Sequence, residues 1–175
     1  MIDFAHAGVS GLRAAFTKTG TVTAANASSI NDGAAAVVVC SAEIAKSRGY
    51  KVMAKIVGDA SAAVEPKWFT IAPVEALKKL YAKTDTQASD WDLYEINEAF
   101  SGVTMAAAQE HGIPLEKVNV NGGAASLGHP IGCSGARVLV TLLYALADRG
   151  LSRGIATLCI GGGEALALGV ERTSS

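Results

Sequence analysis

The sequence is short of charge, of cysteine motifs and of long apolar runs. Charged residues make up 18% of its 175 residues, below the quarter or so usual in a soluble chain. The 15 basic residues run from Arg13 to Arg172 and are matched by 16 acidic ones, so no stripe exists to neutralise consecutive phosphates. That excludes nucleic acid as a partner class. Three cysteines, Cys40, Cys133 and Cys159, form no CxxC and no His/Cys spacing of the zinc-binding kind. No metal or organic cofactor is expected, and a reducing compartment fits. No apolar run approaches the roughly 18 residues that cross a bilayer, and the segment after Met1 lacks the basic start and apolar core of a signal peptide. The final Thr173-Ser174-Ser175 is not a peroxisomal address. The expectation is a soluble, cytoplasmic protein without a membrane partner. Internal repeats, low-complexity tracts and long linkers are also missing, which favours a single compact domain.

What is present is small and apolar. Half of the residues are hydrophobic and 19 are glycine, with alanine and valine prominent. Such a chain is too hydrophobic to be disordered; it calls for close backbone packing or a large buried interface.

The pattern alternates strands and helices. Residues 3–20 carry a weak helical pattern through Leu12 and Phe16, followed by the β-prone Thr21-Val22-Thr23. Ala34 to Cys40 is a continuous apolar run that suits a strand covered on both faces. Ser41 and Gly49 bracket a short helix as cap and left-handed stop. A second strand spans Lys51 to Gly58, and a helix opens at Pro73 with Val74, Leu77, Leu80 and Tyr81 on one face. Trp91 to Ile96 is a third strand leading directly into a helix that stops at Gly112. Val118 to Val120 makes a fourth, and a helix from about Ile131 to Asp148 follows a glycine-rich passage. Ile155–Ile160 and Ala165–Val170 form a hairpin around Gly161-Gly162-Gly163. The sum is a layered α/β fold with a mixed sheet.

In such sheets reactive groups gather where strands end and helices begin. Three residues at these places bear polar or reactive side chains. Asn97 caps the following helix or points outward as a donor. His129 sits in Gly128-His129-Pro130, where a nearby helix N-terminus disfavours imidazolium and leaves a neutral base. Cys159 ends a strand before a glycine turn whose amides lower its pKa or cradle an oxyanion, against the commoner fate of a buried structural thiol. Cys40 reads as structural. Cys133, four residues after His129, leaves a Cys/His pair open. His6 has no such setting, and His111 reads as a favourable helix C-terminal residue.

Four passages together resemble the C-terminal half of a thiolase: TVTAANASSINDGAAAVV from Thr21, NEAF from Asn97, GGAASLGHPIGCSGAR from Gly122 and CIGGG from Cys159. The match fades over residues 1–20, so 21–175 is read as the thiolase C-terminal domain. The resemblance implies a five-stranded mixed sheet between helices, stacked on a similar N-terminal half. The small residues Gly132, Ser134, Gly135 and Ala136 would then let their helix approach a partner element.

The same resemblance implies roles. His129 would activate a nucleophilic cysteine, Cys159 would act as the second acid/base, and Asn97 would hold a water that forms an oxyanion hole with His129. The Gly161 amide would serve a second oxyanion hole, and Ser28, Ala99 and Phe100 would line a pantetheine channel. Coenzyme A thioesters, acetyl-CoA or acetoacetyl-CoA, would be the substrates, and the assembly would be a homo-oligomer. The family's nucleophile belongs to the N-terminal half, so activity would need that half in the same or a separate chain. Departures from the family pattern fall at Ala25, Ser29, Cys133 and Glu164-Ala165. A non-catalytic scaffold subunit and a β-ketoacyl synthase are the competing readings.

Overall fold

The computed structural model describes residues 11–173. Helix α1 (Ala42–Arg48) forms where the sequence places it: the Ser41 hydroxyl accepts from the Ile44 amide, and Gly49 ends the helix at φ 64°. Strand β1 (Ala54–Ala63) leads through a short 3-10 turn into α2 (Ala72–Thr84), whose second residue is Pro73. Next come β2 (Leu93–Ile96), α3 (Ser101–His111) and the single turn α4 (Ala124–Leu127). The long helix α5 (Ile131–Asp148) and the strands β3 (Arg153–Ile160) and β4 (Glu164–Arg172) complete the described chain.

The sheet order is β1-β4-β3-β2. Strand β4 runs antiparallel to both β1 and β3, whereas β2 runs parallel to β3, with Ile96 opposite Thr157. Successive side chains on a strand point to opposite faces, and the two faces carry separate cores. Tyr94, Ile96 and Ile155 pack with Leu77 and Leu80 of α2 and Val103 of α3. Leu93, Ala156 and Val170 pack with Val138, Leu142 and Leu146 of α5. A sheet lies between helical layers, as expected. Helix α5 sits close because Gly154 has no side chain: a Cβ there would stand 2.7 Å from Leu142 Cδ1.

Several expectations are corrected. The described sheet has four strands, not five. Val118 makes only one parallel bridge, to Tyr94, because Asn119 turns the chain at φ 47°. Its side-chain amide then takes the place of a backbone rung, accepting from the Ile96 N–H at 2.8 Å and donating to the Ile96 carbonyl at 2.9 Å. Ala34 to Cys40 is not a strand: it has no regular structure, and Val38 is 93% exposed. Among the described residues no strand pairs with it, so nothing covers its faces; Cys40, read as buried and structural, is exposed for the same reason.

The helical reading of residues 3–20 lies partly outside the described residues, as does His6; from residue 11 onward the segment is irregular, with Leu12 and Phe16 exposed. Around Thr21-Val22-Thr23 the chain forms, among the described residues, only a bridge from Thr23 to Ala14. The helix expected directly after Ile96 begins four residues past Asn97. Helix α5 also corrects the statement that no apolar run approaches membrane-spanning length, since it passes by length and composition. Its buried face, Val138, Leu142, Ala145 and Leu146, packs on the sheet, which makes it a core helix.

Candidate active site

The parallel pairing of β2 with β3 brings the C-terminal ends of both strands to one edge of the sheet. Asn97 continues the ladder there, its backbone N–H donating to the Thr157 carbonyl at 2.9 Å. Asn97 is fully buried and caps nothing: the N-cap position of α3 is Phe100, with no side-chain bond. The side chain meets His129 instead. Asn97 Nδ2 lies 3.3 Å from His129 Nε2, and His129 Nδ1 lies 2.6 Å from the Ser134 hydroxyl oxygen. That hydroxyl, buried in the first turn of α5, donates to the Pro130 carbonyl at 3.0 Å.

His129 is held from the other side by the segment before α1. Its backbone N–H donates to the Ser29 carbonyl at 3.0 Å, and Ile30 bridges it in parallel. Gly128 lets the chain pass: at φ 92° and ψ 166° it occupies a region open essentially to glycine, and a Cβ would strike the Asn31 side chain. Burial lowers the imidazole pKa, helped by the Arg137 guanidinium. A neutral imidazole, hydrogen-bonded through both ring nitrogens, can serve as a general base.

Cys159 stands on β3 two residues beyond Thr157 and packs with the α2/α3 layer, the face opposite α5. No hydrogen bond joins it to Asn97 or His129 among the described residues. Burial raises its thiol pKa, the reverse of the lowering expected from the glycine turn, because the apolar layer disfavours the thiolate. Gly161 opens that turn, exposed, with open space beside its Cα. Cys133 is buried and has no hydrogen bond to His129, whose two nitrogens already face Asn97 and Ser134. His111 is not a bare helix end: its Nε2 lies 2.9 Å from the Val74 carbonyl and its ring packs edge-on against Tyr81.

Ser28, Ala99 and Phe100 come together through backbone pairing. The Ser28 N–H donates to the Ala99 carbonyl at 3.0 Å, the Ser101 N–H donates to the Asn26 carbonyl at 2.9 Å, and Ala27 bridges Phe100. Phe100 makes edge-on contacts with Phe16 and Phe69, centroids 6.2 and 6.3 Å away. Glu98, between Asn97 and Ala99, accepts from the Ser101 hydroxyl and from the Ala125 N–H, which ties α3 to α4.

Three residues at the site were not singled out for it by sequence reasoning. Ser134 was read only as a small residue, yet it fixes His129. Glu95 and Arg137 form a 3.3 Å ion pair with the carboxylate side chain 2% exposed. Their signal was available: a carboxylate inside an otherwise apolar strand and an arginine in a helix of small and apolar residues.

Comparison with known proteins accords with this architecture. The family model of the thiolase C-terminal domain matches residues 50–172, and that of the thiolase N-terminal domain matches residues 4–43. The acetyl-CoA acetyltransferase of Cupriavidus necator is 53% identical over 164 residues, 94% of this chain and 42% of that protein. The cytosolic acetyl-CoA acetyltransferase of Rattus norvegicus is 51% identical over 154 residues, 88% of this chain and 39% of that protein. Among solved structures, the Bacillus anthracis acetyl-CoA acetyltransferase superposes with a TM-score of 0.91 at 49% identity, covering 94% of this chain and 42% of that one. Human mitochondrial 3-ketoacyl-CoA thiolase in complex with CoA gives 0.86 at 33% identity over the same shares. The chain belongs to the thiolase family, and it spans about two fifths of the length of these relatives.

Proposed function

We propose that this chain supplies the acid/base half of an acyl-transfer site acting on coenzyme A thioesters, in the condensation of two acetyl-CoA or the thiolysis of a 3-ketoacyl-CoA. The observation that carries the reading is the Asn97–His129–Ser134 contact, its two ends fully buried, at the C-terminal edge of the sheet, in a chain of the thiolase family. His129 takes the proton of a nucleophilic cysteine contributed by an N-terminal half, in the same chain or another. Cys159 exchanges a proton with the α-carbon of the acyl group; its raised pKa keeps the thiol protonated and ready to give that proton in the thiolysis direction. Asn97, through a bound water, and the Gly161 amide stabilise the two oxyanions. Ser28, Ala99 and Phe100 line the approach of the pantetheine arm. The name of the rat relative supports a cytoplasmic site of action.

The test is complementation. Mixed with an N-terminal half from a homologous thiolase, the chain is expected to cleave acetoacetyl-CoA with CoA; alone it is expected to do so no faster than buffer. His129→Ala should abolish acylation of the partner cysteine, whereas Cys159→Ala should leave acylation and block carbon–carbon bond exchange. Full thiolysis by the isolated chain, lost in Cys133→Ala, would falsify the reading in favour of a Cys133 nucleophile.

A further inference from the structure

The hydrogen bonds around His129 form an open chain whose two ends have fixed polarity. At one end stands Arg137, whose guanidinium only donates; its Nη2 lies 3.5 Å from Asn97 Oδ1. At the other stands the Pro130 carbonyl, which only accepts, taking the Ser134 hydroxyl proton. Between these ends each group has one arrangement left. The Asn97 amide turns its oxygen to Arg137 and its NH2 to His129, so Nε2 is the acceptor. A neutral imidazole whose Nε2 accepts carries its proton on Nδ1, so the Ser134 hydroxyl oxygen accepts there and its own proton goes to the Pro130 carbonyl, which also accepts the Cys133 and Ser134 N–H groups.

Glu95 secures the donor end. It lies on β2 two residues before Asn97 and pairs through Oε2 with Arg137 Nη1 at 3.3 Å. The pair is costly: Glu95 Oε1 and Arg137 Nε are buried without a hydrogen-bond partner among the described residues. Burying two charges with hydrogen-bonding capacity left unmet seldom adds stability over apolar residues of similar size. Its return lies in orientation, since the guanidinium is held where its second nitrogen meets Asn97.

We infer that Glu95 and Arg137 are positioning residues that act through the Asn97 amide to hold His129 as the neutral Nδ1–H tautomer with Nε2 free of a proton. The inference deepens the reading of His129 as a base and rests on it for its catalytic meaning. The tautomer itself is a property of this chain, measurable without substrate or partner half.

Long-range 1H–15N correlation spectra of the full chain, labelled on histidine, provide the test. The expected wild-type pattern for His129 is a protonated, pyrrole-like Nδ1 and a bare, pyridine-like Nε2. In Arg137→Met that pattern is expected to collapse to shifts averaged between tautomers, because Asn97 is then free to flip and Ser134 to turn its proton towards Nδ1. Glu95→Gln/Arg137→Met removes both charges and keeps the measurement possible where the single change leaves a carboxylate too poorly paired to fold. Asn97→Leu, which cuts the chain of bonds downstream of an intact ion pair, should give the same averaging, and Arg137→Lys should recover part of the wild-type pattern. A wild-type imidazole protonated on Nε2, or an unchanged Nδ1–H pattern in the folded double variant, overturns the inference. A sound tautomer result with no thiolysis after complementation would instead count against the reaction, so the two failures are distinct.

Discussion

Two apolar runs of similar composition meet opposite fates in this chain. Ile155–Ile160 lies in β3 with neighbours on both edges and helices over both faces, and Ile155 is fully buried. Ala34–Cys40 has neither pairing strands nor covering helices among the described residues, and Val38 is 93% exposed. Apolarity alone does not build a strand; the edges must be satisfied as well. Yet the exposed segment is not separate from the site. The stretch just before it is stitched to the body at Asn26, Ser28 and Ser29, and the last of these bonds holds the His129 backbone. The folded body thus holds the Asn97–His129–Ser134 contact, while the stretch before the uncovered run frames it.

The largest loss is expected in the core. Leu142→Ala empties the space where α5 meets Gly154 and is expected to cost about 2–5 kcal/mol, read as a lower urea midpoint with an unchanged slope. A loss below about 1 kcal/mol would mean that α5 is not the rigid wall of the site.

A second effect is tied to pH. Burial pushes the Glu95 carboxyl up to about 7, with Arg137 offsetting part of the rise. The folded state therefore holds a proton that the unfolded chain releases near its ordinary value of 4.5. The contribution is fully present below about pH 4.5 and is lost as pH climbs through about 7, on the order of 3 kcal/mol over that window. Glu95→Gln should flatten this slope in urea midpoints taken across the same range. Identical slopes in both proteins would assign the titration to another group.

At the seam between body and segment, Gly128→Ala is expected to cost about 1–3 kcal/mol, the strain of forcing a side chain into glycine-only backbone. Because the new methyl also collides with Asn31, the amide resonances of Ser29 and His129 should shift together. Shifts confined to residue 128 would show that the segment is not held as described.

Much of the body was legible because its signals are local. Ser41 and Gly49 mark α1, the 3.6-residue rhythm marks α5 from Ile131 to Asp148, and the triglycine turn marks the β3–β4 hairpin. Asn97 was legible as a polar residue at a strand end, and His129 as one just before a helix start, although no strand directly precedes it. The misread places all depend on partners distant in sequence. Ala34–Cys40 has the composition of a strand but no partner here. Val118–Val120 is stopped by Asn119, whose amide does the pairing itself. Glu95, Arg137 and Ser134 escaped notice because their role exists only once β2, α5 and the His129 loop are brought together.

A change in the uncovered run itself should hardly move the stability of the chain alone. Val38→Asp places a charge where the described chain has only open surface, so its effect on the stability of the chain by itself should stay within about 0.5 kcal/mol. The thiolase N-terminal domain model extends over residues 4–43, and a run with the pattern of a doubly covered strand needs a sheet to join. If a complementing N-terminal half supplies that sheet, the same aspartate would be buried without a partner on assembly, at a cost of several kcal/mol. Val38→Asp should then melt like wild type alone and fail to complement, whereas an exposed change away from the run, such as Lys67→Asp, should complement normally. Equal complementation by both variants would leave Ala34–Cys40 an exposed segment in the assembled protein, with no covering sheet to account for its apolar composition.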